Sequence, residues 1–92
     1  MLKDVIYVEP LDNYCLRIRF EDGVEGVVDI SEMTSFKGVF APLEDKAFFR
    51  KVGLNKELGV VVWENGVDLD PDVLYSKITG EPIPKYHVVH AQ

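Results

Sequence analysis

Tyr14, Leu16, Ile18 and Phe20 alternate with Cys15, Arg17 and Arg19 along the chain. A period of two places four apolar side chains on one face, the pattern of a half-buried strand. Glu21-Asp22-Gly23 follows. Asp-Gly suits a type I′ turn, in which both central residues take positive φ. The chain then returns over residues 24–30, with Val24, Val28 and Ile30 on one face and Gly26 as a weak point. This pattern predicts a hairpin. Upstream, Val5-Ile6-Tyr7-Val8-Glu9 reads as a short strand stopped by Pro10, whose missing N–H suits a strand end or edge. Leu11-Asp12-Asn13 supplies the polar turn that makes the three strands an antiparallel meander.

Residues 31–42 carry no clear period; Asp29 or Ser31 can cap one helical turn, and Gly38 and Pro42 break anything longer. Residues 43–51 predict a helix of about two turns, with Glu44 and Asp45 in its first turn and Arg50 and Lys51 in its last. Val52-Gly53-Leu54 is a short strand candidate. Val60-Val61-Val62-Trp63 is apolar on both faces, as a covered strand is, and Glu64-Asn65-Gly66 turns it back toward Val67 and Leu69. Asp70-Pro71-Asp72 is a strong helix start: a capping acid, a proline preset for the first position, and an acid at the positive dipole end. Val73, Leu74 and Ile78 give that helix an apolar stripe, and Gly80 with Pro82 stops it. The expected fold is α+β: a small antiparallel sheet, built as a β-meander plus a second hairpin. One helix lies between its halves and one near the C-terminus. A single domain over residues 1–80 and an extended tail over 81–92 complete the reading.

Composition narrows the classes. The 92 residues are 47% hydrophobic and 28% charged, a globular balance. No apolar run nears the ~20 residues of a membrane span, so no membrane partner is expected. The start meets Asp4 at once and lacks the apolar stretch of a signal peptide, so a cytoplasmic location is expected. With 16 acids against 10 bases the net charge is −6, the wrong sign for holding phosphate backbones, and no direct nucleic-acid contact is expected.

Several strings together resemble the domain of unknown function 2442 family of small bacterial proteins. They are Tyr14-x-Leu16-x-Ile18-x-Phe20 with Asp22-Gly23, and Val28-Asp29-Ile30. Further on come Gly38-Val39-Phe40-x-Pro42-Leu43, Phe48/Phe49, and Trp63-x-Asn65-Gly66-x-Asp68-Leu69-Asp70-Pro71-x-x-Leu74-Tyr75. The resemblance covers roughly residues 4–76. It implies a compact α+β fold and hands over no catalytic residue. Some relatives are similar to partners of small toxin-like proteins, which implies a protein-binding role. On the same resemblance, Trp63, Asn65, Asp68, Asp70 and Tyr75 become candidate binding residues, to which the basic pair Arg17 and Arg19 is added.

The chemistry-bearing residues are few. Glu64, Asp68, Asp70 and Asp72 form an acidic cluster suited to a divalent cation or to acid–base work, but capping and turn formation account for the same residues. His87 and His90, three apart, align on a helix and diverge on a strand, and prolines around them favour the extended form. Cys15 lies on the polar-side register with no histidine near it in sequence, which fits an ordinary cysteine. Arg17 and Arg19 can pair with Glu25 and Asp29 across the hairpin. No Gly-rich phosphate loop, zinc signature or Ser-His-Asp order is present, and no cofactor is expected. The expected function is a non-enzymatic binding or regulatory module, the acidic partner of another, small basic protein. The alternative is a small metal-dependent enzyme using the 64–72 acids. Ile83, Tyr86, Val88 and Val89 in the tail also point to a homodimer formed by tail exchange or edge pairing, set against a monomer.

Overall fold

A computed structural model describes residues 3–82. The element order is β1 (Val5–Pro10), β2 (Cys15–Phe20), β3 (Glu25–Asp29), α1 (Ile30–Met33), a 3₁₀ segment (Gly38–Glu44), α2 (Lys46–Phe49), β4 (Gly53–Asn55), β5 (Val60–Val62), β6 (Asp68–Leu69) and α3 (Pro71–Thr79). All pairing is antiparallel. The six strands divide into two three-stranded sheets, β1-β2-β3 and β4-β5-β6, with α1, the 3₁₀ segment and α2 between them in sequence. The α+β expectation holds, with the strands split over two sheets. Of the expected tail over 81–92, residues 83–92 with His87 and His90 lie outside the described residues, as does the tail-exchange reading.

The first sheet follows the period-two pattern. Leu16, Ile18 and Phe20 are buried, and opposite them Val5 and Val28 close the same face. Cys15, Arg17 and Arg19 look outward with Tyr7, Glu9, Glu25 and Val27, their cross-strand partners and neighbours. Pro10 ends β1 opposite Leu16 on the side away from β3, where its missing N–H leaves no ladder bond unmade.

The first tight turn departs from the expected type I′, and the second takes the same form. In the first, the Gly23 N–H donates to the Phe20 carbonyl and the Phe20 N–H to the Val24 carbonyl. In the second, Gly66 donates to Trp63 and Trp63 to Val67 in the same arrangement. Only the glycine of each turn has positive φ, +92° and +90°. These are three-residue loops, each a β-turn closed by a left-handed glycine. In each the Asx side chain accepts a backbone N–H two residues on, Asp22 from Val24 and Asn65 from Val67. The strings Phe20-Glu21-Asp22-Gly23-Val24 and Trp63-Glu64-Asn65-Gly66-Val67 are thus one turn used twice.

The central helix differs from expectation. Leu43 and Glu44 end the 3₁₀ segment, and Asp45 is the N-cap of α2, accepting from the Ala47 N–H at 2.9 Å. The four-residue helix then buries Phe49. Asp29 caps α1 and Asp70 caps α3, which ends at a left-handed Gly80.

A contiguous core joins the sheets: Val5, Leu16, Ile18, Phe20, Val28 and Ile30 from one side meet Leu43, Phe49, Val61, Trp63, Val67, Leu69 and Leu74. The Val5 N–H donates to the Gly59 carbonyl at 2.9 Å, tying β1 to the loop before β5. The far end of α3 lies on β3 at Gly26, where any Cβ would stand 2.7 Å from the Ile78 Cγ2. That distance explains the glycine inside a strand. Gly26→Ala is expected to destabilise the chain by about 1–3 kcal/mol through overpacking. Denaturant unfolding of Gly26→Ala, Ile78→Ala and the double variant checks this: the double variant should recover part of the loss, and two losses that simply add would refute the contact.

Candidate functional site

Trp63 directly follows β5 and is 1% exposed, with its indole N–H donating to the Phe49 carbonyl at 3.0 Å. Its ring lies 5.7 Å from that of Phe49. Trp63 is therefore a core post under the site, with no face left for a ligand. Tyr75 is a strut between helix and hairpin. Its ring meets Phe20 edge-on at 5.0 Å, and its hydroxyl donates to the Asp22 Oδ2 at 2.6 Å. Lys3 stands 3.9 Å from the same oxygen.

Arg17 and Arg19 form a surface lattice across the first sheet. Arg17 meets Glu9 at 3.5 Å and Glu25 at 3.8 Å; Arg19 meets Glu25 at 3.0 Å and lies over the Tyr7 ring. Asp29, expected in this lattice, turns away to cap α1. Exposed pairs of this kind contribute about 0.2–1 kcal/mol each. Cys15 is half-buried beside Asn13, and burial, then the charges of Asp29 and Glu32, push its thiol up. A raised thiol is a poor nucleophile at neutral pH.

The 64–72 acids separate. Glu64 reaches Lys51 at 3.9 Å, Asp68 is exposed on β6, Asp70 accepts the Asp72 N–H at 2.9 Å, and Asp72 is buried in the first turn of α3. Among the described residues no three His, Cys, Asp or Glu side chains gather where one metal ion could be held.

The structure does bring Asn65, Asp68 and Asp70 together, on the rim of a groove. A depression of about 480 Å³ is lined by Gly38, Val39, Phe40 and Pro42 on one wall and residues 65–68 on the other. A second, of about 360 Å³, continues past Phe40 and Asp68 to Met33, Thr34, Leu69, Asp70 and Val73. Phe40 and Asp68 line both, so the two form one trough from the Asn65-Gly66 turn to the first turn of α3. Its floor is apolar, and Val39 on its wall is 69% exposed. Positive φ at Gly38 starts the 3₁₀ segment, and Pro42 sits inside it, so the wall has its own backbone conformation. Sequence reasoning found the acidic rim and missed the apolar wall. Val39 and Phe40 lie in a stretch with no strand or helix period, and only the adjoining Gly38 and Pro42 mark it as a shaped loop. Such open apolar troughs with a few convergent polar groups are the usual form of a recognition site.

The Tyr75–Asp22 strut predicts a pH signature. The hydroxyl, the Val24 N–H and Lys3 hold the Asp22 carboxyl below its ordinary value. The hydrogen bond to Asp22 pushes Tyr75 up to about 12, helped by desolvation and by the charges of Asp22 and Glu81. A depressed acid stabilises the fold above its unfolded pKa and loses that contribution as pH falls through the folded one. A raised phenol does so below its unfolded pKa and loses it as pH rises toward the folded one. The stability difference between the natural chain and Tyr75→Phe is therefore expected to be constant from about pH 5 to pH 9, and to shrink below about pH 4 and above about pH 10. Unfolding curves across that range, with ultraviolet titration of the tyrosines, measure it. Trp63→Phe should cost about 1–3 kcal/mol through the lost indole hydrogen bond and the space the smaller ring leaves, the Phe49 carbonyl keeping the Val52 N–H, read by the same unfolding assay.

No curated protein and no solved structure matches the chain. The model of one family does, "Protein of unknown function (DUF2442)", over residues 5–80. That span takes in both sheets, all three helices and both walls of the groove. The chain belongs to the DUF2442 family.

Proposed function

We propose that the chain is a non-enzymatic binding module that takes an extended, apolar and basic segment of a partner protein into the groove between the 3₁₀ segment and β6. The observation that carries the reading is the groove itself: an exposed apolar wall of Val39, Phe40 and Pro42 facing a polar rim of Asn65 and Asp68. Two of the strings that resemble the family, residues 38–43 and 63–75, supply lining residues to its two walls. A trough open along its side suits a peptide better than an enclosed small molecule. The rim acids and the net charge of −6 favour a basic partner, in keeping with a small toxin-like protein met in the cytoplasm. The outward face of the first sheet is a poorer site, since Arg17 and Arg19 are already engaged by Glu9 and Glu25.

Affinity capture with the full chain under native conditions, read by mass spectrometry, tests this. A stoichiometric protein should be recovered with the natural chain and with Arg17→Ala, and lost with Val39→Asp. Val39 is mostly exposed, so Val39→Asp should change stability by no more than about 0.5 kcal/mol. Retention of the partner by a folded Val39→Asp would remove the groove from the reading.

A further inference from the structure

We infer that the chain has a second, separate site, a cavity between the β1–β2 turn and α2 that binds a free α-amino acid with an apolar side chain. The cavity shares no lining residue with the groove, so the inference stands apart from the role proposed for that surface.

The cavity measures about 390 Å³, within the ~300–1,000 Å³ range of small-molecule pockets. Backbone bonds fix both of its walls. On one side the Leu11 N–H donates to the Cys15 carbonyl at 2.8 Å, and the Ile30 N–H to the Tyr14 carbonyl at 2.9 Å. These bonds hold the loop that carries Asp12. On the other side Asp45 caps α2, and the Arg50 N–H donates to the Lys46 carbonyl at 3.1 Å. Lys46 and Arg50 stand four apart, so both lie on the face that lines the cavity. Leu11 and the edge-on ring pair of Tyr14 and Phe49 supply its apolar part.

The charges select the guest. Two cations line one wall and a carboxylate the other, in a chain whose net charge is −6. Among the described residues Lys46 forms no ion pair. Arg50 and Asp12 approach only to 3.8 Å, with side chains 57% and 96% exposed. Such a pair is weak, and a guest separates it at little cost. A simple carboxylate would gain the two cations but face Asp12, and a simple amine would gain Asp12 but face the two cations. A zwitterion satisfies both walls. Its carboxylate lies between Lys46 and Arg50, whose guanidinium fork suits a planar carboxylate, and its ammonium meets Asp12. Its side chain then covers Leu11 and Tyr14. The interior of a peptide carries neither charge, so a free amino acid is the class that fits.

Amide resonances of the isotope-labelled full chain, followed at neutral pH, test this with four probes. They are L-phenylalanine, hydrocinnamate (no ammonium), phenethylamine (no carboxylate) and glycine (no ring). L-phenylalanine should shift the amides of Asp12, Tyr14, Lys46 and Arg50 to saturation, and the other three should bind at least about fivefold more weakly. In Asp12→Asn, L-phenylalanine should lose its advantage over hydrocinnamate. In the double variant Lys46→Gln, Arg50→Gln it should lose its advantage over phenethylamine. All three positions are exposed, and thermal unfolding verifies that the variants remain folded. Lys56→Gln, at an exposed lysine outside the cavity, should bind as the natural chain does. The inference is overturned if L-phenylalanine gives no saturable response up to about 20 mM, or if its shifts centre elsewhere. It is equally overturned if any other probe matches L-phenylalanine on the natural chain, or if either folded cavity variant keeps the natural order of preference. None of these results bears on capture of a partner through Val39, so the two readings fail independently.

Discussion

The fold depends on a chain of aromatic contacts that crosses from one small sheet to the other. Phe36 lies tilted against Tyr14 at 5.0 Å, Tyr14 meets Phe49 edge-on at 5.4 Å, and Phe49 lies against Trp63 at 5.7 Å. Two hydrogen bonds fix its polar members, from the Tyr14 hydroxyl to the Glu44 carbonyl and from the Trp63 indole to the Phe49 carbonyl. A second sheet with strands of three, three and two residues has too little area to stand alone. It persists because Trp63 and Val61 share their burial with Phe49 and Leu43. Such ring pairs contribute about 0.5–1.5 kcal/mol each beyond the area they bury, on a stability that totals only about 5–15 kcal/mol.

The same rings explain a costly piece of backbone. Tyr14 and Phe36 both have positive φ, +62° and +54°, a conformation that disfavours residues with a Cβ by about 1–2 kcal/mol. Glycine would relieve the backbone at either place and remove the ring that locks the β1–β2 turn to the segment after α1. The packing outweighs the strain. The two loops are consequently one unit, and the 3₁₀ wall of the groove is attached to it through Glu44.

Where a local rule decided the outcome, the sequence was readable. The alternation of residues 14–20, the Asp70-Pro71 helix start and the positions of both tight turns all depend on neighbours within four residues. The details that failed depend on contacts further apart. The turn type follows the twist and the Asx side-chain bond rather than the dipeptide. The short α2 starts at Asp45 because Leu43 is drawn into the core from a 3₁₀ turn. The two sheets meet through Tyr14 on Phe49 and Phe49 on Trp63, contacts no periodicity encodes. The site followed the same division: Asn65, Asp68 and Asp70 were visible as an acidic turn and cap, whereas Val39, Phe40 and Val73 join them only through the fold.

The repeated turn shows how one local geometry serves two ends. In both copies the Asx oxygen performs the same internal task, accepting the N–H of the valine two residues on. What differs is the remainder of the side chain. Asp22 has a second oxygen and a full charge to spend on Tyr75 and Lys3, and so anchors a helix. Asn65 offers an uncharged amide N–H₂ at the mouth of the groove, a donor where a carboxylate would only accept. Exchanging the two residues would keep the Asx acceptor in both loops, remove the charge that faces Lys3 and Tyr75 from one, and add a negative charge at the mouth of the groove in the other. A single atom, nitrogen in place of oxygen, separates the turn that anchors a helix from the turn that borders the groove.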